Sequence, residues 1–281
     1  MDKPRPISPT DLYLELGTAR GPVLIDVRTG PTFDADDRII VSARLLPENP
    51  DQWNVELEKS QRFVVYGSQG DQTSRGVAEA LCELGQEAAY LDGGFAAWLA
   101  QGFPTRRQLT TGARRWITRE RPKIDRIACP WLIRRFIDPE AEFIYVPAER
   151  VLAESKAVGA IPYDVPDVEF THEGERCSFD TFLRIYDIAD PPLDQLALIV
   201  RGADTSRHDL APQCAGLFAI SLGLSAIFPD EVGEDRLASS CAKARMFWPK
   251  SRVVKIGPQT LRLDGGGGSH QRICLSGNFP C

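Results

Sequence analysis

Residues 63–85, FVVYGSQGDQTSRGVAEALCELG, read as a strand, a glycine-bearing loop and a helix in immediate succession. Phe63 to Tyr66 is a short aromatic and β-branched run, the pattern of a strand buried on both faces. Val77 to Leu84 is helical in character, and Gly85 is placed to close it in a left-handed cap. Working outward, Val23-Leu24-Ile25 repeats the strand pattern upstream, and Ala88 to Leu91 repeats it downstream. A second helix is expected over Phe95 to Ala100, stopped by Gly102 and Pro104. Strands alternating with helices predict a parallel α/β sheet flanked by helices.

The chain has 281 residues, 43% hydrophobic and 26% charged, enough for one large or two ordinary domains with a real core. Its formal net charge of -6 argues against a general nucleic-acid coat. No apolar run reaches the roughly 18 residues of a membrane span. The opening MDKPRPISPT has charges and prolines where a secretory core would be apolar, so a soluble cytoplasmic protein is expected. The charge is uneven. Residues 1–108 carry 11 Lys/Arg against 16 Asp/Glu, residues 109–235 carry 14 against 22, and residues 236–281 carry 8 against 1. Seven cysteines without a CxxC pair indicate neither a disulfide framework nor a zinc ribbon.

Three pieces of the first segment together resemble the rhodanese family: VLIDVR at 23–28, the 63–85 element, and LDGGFAAWLAQGFP at 91–104. The resemblance implies a rhodanese-like domain over residues 1–108. It also implies a persulfide-carrying Cys directly after the strand, where this chain has Gly67. No catalytic residue is therefore assigned there, and sulfur transfer is expected to be lost. Gly67, Ser68, Gly70, Thr73, Ser74 and Arg75 either form an anion cradle of N–H groups, hydroxyls and one guanidinium, or only a connecting loop. Asp26 and Arg28 are expected to brace that region as an ion pair. Cys82 lies too far down the next helix to replace the missing thiol.

After a polar linker over 106–112, Trp116 to Pro147 is the most distinctive run. Asp125 is expected to cap an amphipathic helix, with Pro130 in its first turn. Arg134 and Arg135 are expected to be solvated or paired with Asp138. Phe143 to Val146 reads as a strand. Helices are expected over Ser178 to Ile188, Leu193 to Val200 and Pro212 to Leu222, giving a helix-rich α+β domain over 109–235. The chemical candidates are Asp125, Arg126, Cys129, Asp164, His172, Glu173, Cys177, Asp180 and Asp204. THEGERC brings imidazole, carboxylate and thiol within six residues. That set suits one transition metal ion, with His172, Glu173, Cys177, Asp125 and Asp204 as ligands. Arg126, Cys129 and Asp164 stand as accessory groups. The same groups equally read as protons and electrons offered to an oxyanion, or as a turn histidine and two packed cysteines. His208 is expected to be exposed.

This run, with residues 161–183 and 197–225, resembles the C-terminal domain of the ChrB chromate-resistance family. The resemblance implies an oxyanion such as chromate as partner. It leaves open whether the anion is sensed, bound or reduced. A working sulfurtransferase and a chromate-responsive transcriptional regulator are the alternative functions. The folded segments are acidic and show no helix-turn-helix, so DNA contact would fall to another surface. Residues 236–281 offer one short strand at Arg252 to Ile256 and a four-glycine run. They read as an altered frame, a fused extension or a basic arm.

Overall fold

A computed structural model describes residues 3–16, 18, 21–28, 37–53, 61–70, 72–108, 114–121 and 123–227. The expected strand at 252–256 and the 236–281 tail lie outside these residues. The first part is a five-stranded parallel sheet in the order β1-β6-β5-β2-β4. Its strands are β1 (Arg5–Ile7), β2 (Val23–Asp26), β4 (Arg44–Leu45), β5 (Arg62–Tyr66) and β6 (Glu87–Leu91). The helices against it are α1 (Pro9–Glu15), α2 (Gln72–Glu83) and α3 (Gly94–Ala100).

The continuous apolar strands are explained by burial on both sides. Ile25, Phe63 and Val65 pack with Val77 and Leu81 of α2, while Leu24, Val64 and Tyr66 turn to the layer of Leu12, Phe95 and Trp98. The reading of these runs as strands buried on both faces therefore holds.

The polar linker reading is corrected in part. Thr105–Arg107 is strand β7, paired antiparallel with β3 (Arg38–Ile40). Arg106 is buried there and donates to the Ala43 carbonyl, so its charge marks an internal tie and not a solvated joint. Residues 109–113 lie outside the described residues.

The second part has a three-stranded parallel sheet, order β10-β8-β9, from β8 (Arg115–Arg119), β9 (Glu142–Val146) and β10 (Ile161–Pro162). Its helices are α4 (Ile124–Leu132), α5 (Val151–Val158), α6 (Ser178–Ile185), α7 (Pro191–Asp204) and α8 (Cys214–Ile227). Trp116, Phe170 and Phe182 form an aromatic centre, with Trp116 and Phe170 rings 5.1 Å apart in an edge-on arrangement.

Two expectations for α4 are corrected. Its N-cap is Lys123, and Asp125 lies inside the first turn. Pro130 sits in the helix interior, and a π-helical turn follows at Ile133–Ile137. Proline leaves the Arg126 carbonyl without its helical donor, and the wider turn that follows changes the spacing of the next side chains. Arg134 and Arg135 donate to the carbonyls of Ala141 and Thr18.

The two parts share one apolar core, running from Leu12 and Trp98 through Phe136 and Ile137 to Phe179 and Val200. Polar ties cross the junction. Ser42 N donates to Phe136 O at 2.8 Å, Arg107 N to Tyr186 O at 2.7 Å, and Tyr13 Oη to Asp190 Oδ1 at 2.8 Å.

Candidate functional site

The central strand β8 ends at Arg119, and α4 starts five residues later, bringing Asp125 to the carboxyl end of a parallel sheet. Crevices at that end are where open parallel sheets collect ligands. Asp125 is 1% exposed, and its Oδ2 accepts the Ser178 N–H at 2.6 Å, from the first turn of α6. A carboxylate facing a helix N-terminus is favoured by the exposed N–H groups and the helix dipole. The other oxygen, Asp125 Oδ1, is shielded from water and has no hydrogen-bond partner.

Asp164 follows β10 and adopts a left-handed backbone, φ 51°, which Asp tolerates better than most residues. Its N–H donates to Phe170 O at 2.9 Å, closing the loop that leads to His172. Arg126 Nη1 donates to Asp164 Oδ2 at 2.6 Å, and Ser178 Oγ to Asp164 Oδ1 at 3.1 Å. Arg126 is buried with it, and its Nε is spent on the Arg121 carbonyl.

His172 stands at the mouth, its side chain 41% exposed. Its Nε2 lies 3.1 Å from Asp204 Oδ2, 3.4 Å from Asp125 Oδ2 and 3.8 Å from Asp164 Oδ1. Asp125, Asp164 and His172 each bring a ligand-type atom within 4.8 Å of the others. The bonds to Asp125 and Asp204 push the imidazole pKa up to about 10, against the opposing effect of partial burial. Burial pushes Asp125 up to about 6, while its bond to His172 pulls it down.

Glu173 and Cys177 stand differently. Glu173, the chain neighbour of His172, is exposed and bound to Arg184. Cys177 is fully buried at the start of α6, where its N–H donates to Asp180 Oδ2 at 3.0 Å. Burial, then the negative charges of Asp125 and Asp180, push the Cys177 thiol well above its usual range. Cys129 is likewise buried and pushed up by burial and by Asp125. Neither is a thiolate at neutral pH. Asp180 is structural: besides capping α6 it takes both a 2.9 Å and a 2.7 Å bond from Arg201. His208 is exposed, its ring 5.2 Å from that of Phe218.

The group is thus three carboxylates and one imidazole, with two buried neutral thiols nearby. Arg119, absent from the sequence candidates, also reaches it: its Nη2 lies 3.6 Å from Asp164 Oδ2.

The loop after β5 is arranged otherwise. Gly67 O accepts the Phe95 N–H and Ser68 O the Ala96 N–H, both at 2.9 Å. Gly70 and Gly94 both have positive φ, and a Cβ on Gly94 would lie 2.4 Å from Gly70 N. Loop and helix α3 therefore touch backbone to backbone. Ser74 is buried, Thr73 half-buried, and Arg75 lies over the Tyr90 ring at 4.9 Å. Asp26 and Arg28 form the expected buried ion pair, at 2.6 Å. Cys82 is half-buried along α2, its sulfur 3.9 Å from the Ala88 carbonyl.

Comparison with known proteins agrees with this division. Residues 116–242 match the family described as ChrB, C-terminal domain, and residues 8–101 match the rhodanese-like domain. Protein ChrB of Cupriavidus metallidurans is 32% identical over 142 residues, 48% of this chain and 42% of that protein. The chain thus spans less than half the length of that curated relative. Among solved structures, a rhodanese-related protein from Thermoplasma volcanium is 24% identical, covering 36% of this chain and 96% of that one, with a TM-score of 0.31. The Alr3790 protein from Anabaena sp. is 31% identical, covering 37% and 83%, with a TM-score of 0.32. The two matches thus divide the chain into a part similar to the rhodanese-like domain and, behind it, a part similar to the ChrB C-terminal domain. No helix among the described residues is long and apolar enough to cross a membrane.

Proposed function

We propose that this protein serves chromate resistance as a ChrB-type protein, its second domain holding one divalent transition metal on Asp125, Asp164, His172 and Asp204. The observation that carries this reading is the Asp125 carboxylate: its Oδ2 lies 3.4 Å from His172 Nε2 in a carboxylate–imidazole group, and its Oδ1 is shielded from water with no N–H or O–H donor. A bare buried carboxylate oxygen is costly, and a cation is the partner that relieves it. Oxygen and imidazole donors suit Mn²⁺, Fe²⁺ or Zn²⁺ better than a thiophilic ion. Once bound, the cation supplies positive charge and Lewis acidity to an anion such as chromate.

The chain's own residues do the positioning. Ser178 N–H and Oγ fix one oxygen each of Asp125 and Asp164, and Arg126 holds the latter against the sheet. His172 serves as ligand only after losing its proton. The rhodanese-like domain acts as a scaffold, since Gly67 offers no sulfur to charge and Cys82 is engaged elsewhere. Its oxyanion-cradle residues, Gly67 to Arg75, are assigned no part in the activity.

Metal content of the purified full chain after Mn²⁺, Fe²⁺ or Zn²⁺ loading tests the reading. We expect about one ion per chain, lost in Asp125→Asn and His172→Ala and kept in Cys177→Ala. No ion bound by wild type, or equal binding by both site variants, would refute it.

A further inference from the structure

The pocket also contains a cation that the metal reading leaves unused. Arg119 ends β8, and its Nη2 is 3.6 Å from Asp164 Oδ2, too far for a hydrogen bond. Asp164 does not need it, because Arg126 and Ser178 already supply one donor to each carboxylate oxygen. Arg119 Nε is shielded from water and has no acceptor, while the side chain as a whole remains 43% exposed. A guanidinium with a sheltered, unmatched N–H and an open outer edge is a half-made fork. Its natural complement is an oxyanion that accepts two parallel N–H bonds.

Charge counting gives the same answer. Arg119 and Arg126 lie against Asp164, and Asp125 and Asp204 against His172, so the five charged groups sum to a formal -1 once His172 has given up its proton to a metal. A bound dication turns this to +1. An anion is then attracted locally, although the chain as a whole is acidic.

We propose that Arg119 is the anion anchor of this pocket, its guanidinium holding a doubly charged tetrahedral oxyanion at the mouth of the cation site. The proposal rests on the metal reading above and adds to it the residue that selects the anion. A dianion is favoured over a monoanion of the same shape because both the cation and the guanidinium attract it. Arg119→Lys keeps the charge but loses the fork.

The test is calorimetric titration of the Mn²⁺-loaded full chain with molybdate, which is tetrahedral, doubly charged and redox-inert, and with perchlorate as the monoanion of like shape. Wild type is expected to bind molybdate at least about tenfold tighter than perchlorate. Arg119→Gln should weaken molybdate about tenfold or more while changing Mn²⁺ affinity less than about threefold, with Arg119→Lys between. Unchanged molybdate affinity in Arg119→Gln, or no molybdate binding by Mn²⁺-loaded wild type, overturns the proposal and leaves the metal reading standing. If wild type binds no metal, the metal reading falls by itself. Arg119 is then judged on the metal-free chain, where an Arg119→Gln affinity equal to wild type overturns it.

Discussion

The loop after β5 and the pocket after β8 occupy equivalent places in two parallel sheets, each at the carboxyl end of a strand that leads into a helix. Their polar groups have opposite fates. In the first, the Gly67 and Ser68 carbonyls are taken by α3 N–H groups, and Gly94 packs its bare Cα against the loop. In the second, a buried carboxylate oxygen and a guanidinium N–H are left without partners. Chemistry belongs where the fold leaves such groups unmatched. The rhodanese-like part adds buried surface to a shared core, while the proposed metal site lies wholly in the second part.

This contrast can be broken most severely at Asp125. Asp125→Asn keeps the shape and removes the charge, and should weaken divalent-metal binding by about a hundredfold or more, read by competition with a fluorescent chelator. A loss below about threefold would leave the pocket as inert as the loop.

Acidity gives the next largest effect. His172 is held in its protonated form to about pH 10, so a metal must displace that proton. Affinity should climb about tenfold per pH unit between about 7 and 9, measured at constant ionic strength. The same raised pKa makes a stabilising contribution to the metal-free chain. It is whole below the ordinary His value near 6.5 and is lost as pH rises toward about 10. A pH-independent metal affinity would remove His172 from the ligand set.

On the loop side, Gly94→Ala places a Cβ 2.4 Å from Gly70 N at a φ of +59°. Denaturant unfolding should show a loss of about 2–3 kcal/mol, since both strain and overlap oppose it. Metal affinity should stay within about twofold, because the loop contributes no ligand. The smallest effect is expected at Cys177: Cys177→Ser should shift metal affinity less than about twofold, the buried thiol being protonated and not a ligand.

Much of this division was legible in the sequence, for definite reasons. Strands such as Phe63–Tyr66 announce themselves because both faces are buried, so every residue is apolar. Gly67 stands where the rhodanese resemblance implies a Cys, a reading that rests on one side chain. Asp125, His172 and Asp204 were legible as residue types able to share a ligand. Glu173 was not separable from them, because adjacency in THEGERC does not tell which neighbour turns toward Arg184. Cys177 looked like a ligand because its burial is decided by α6 packing, far from its own sequence neighbours. Asp164 entered only as an accessory group, since its place beside Asp125 depends on β10 lying next to β8. Arg119 was invisible for the same reason: its meaning comes from Arg126 having already satisfied Asp164. Pro130 misled because an interior proline followed by a π turn costs more locally than a first-turn proline, and the buried face of α4 supports it.

The central claim is that the pocket is a carboxylate–imidazole metal site and not a thiol site. The absorption spectrum of the Co²⁺-loaded full chain tests it directly. The account predicts d–d bands at about one Co²⁺ per chain, without sulfur-to-cobalt charge transfer, and their loss in Asp125→Asn. A strong thiolate charge-transfer band, or a spectrum unchanged by Asp125→Asn, would contradict it.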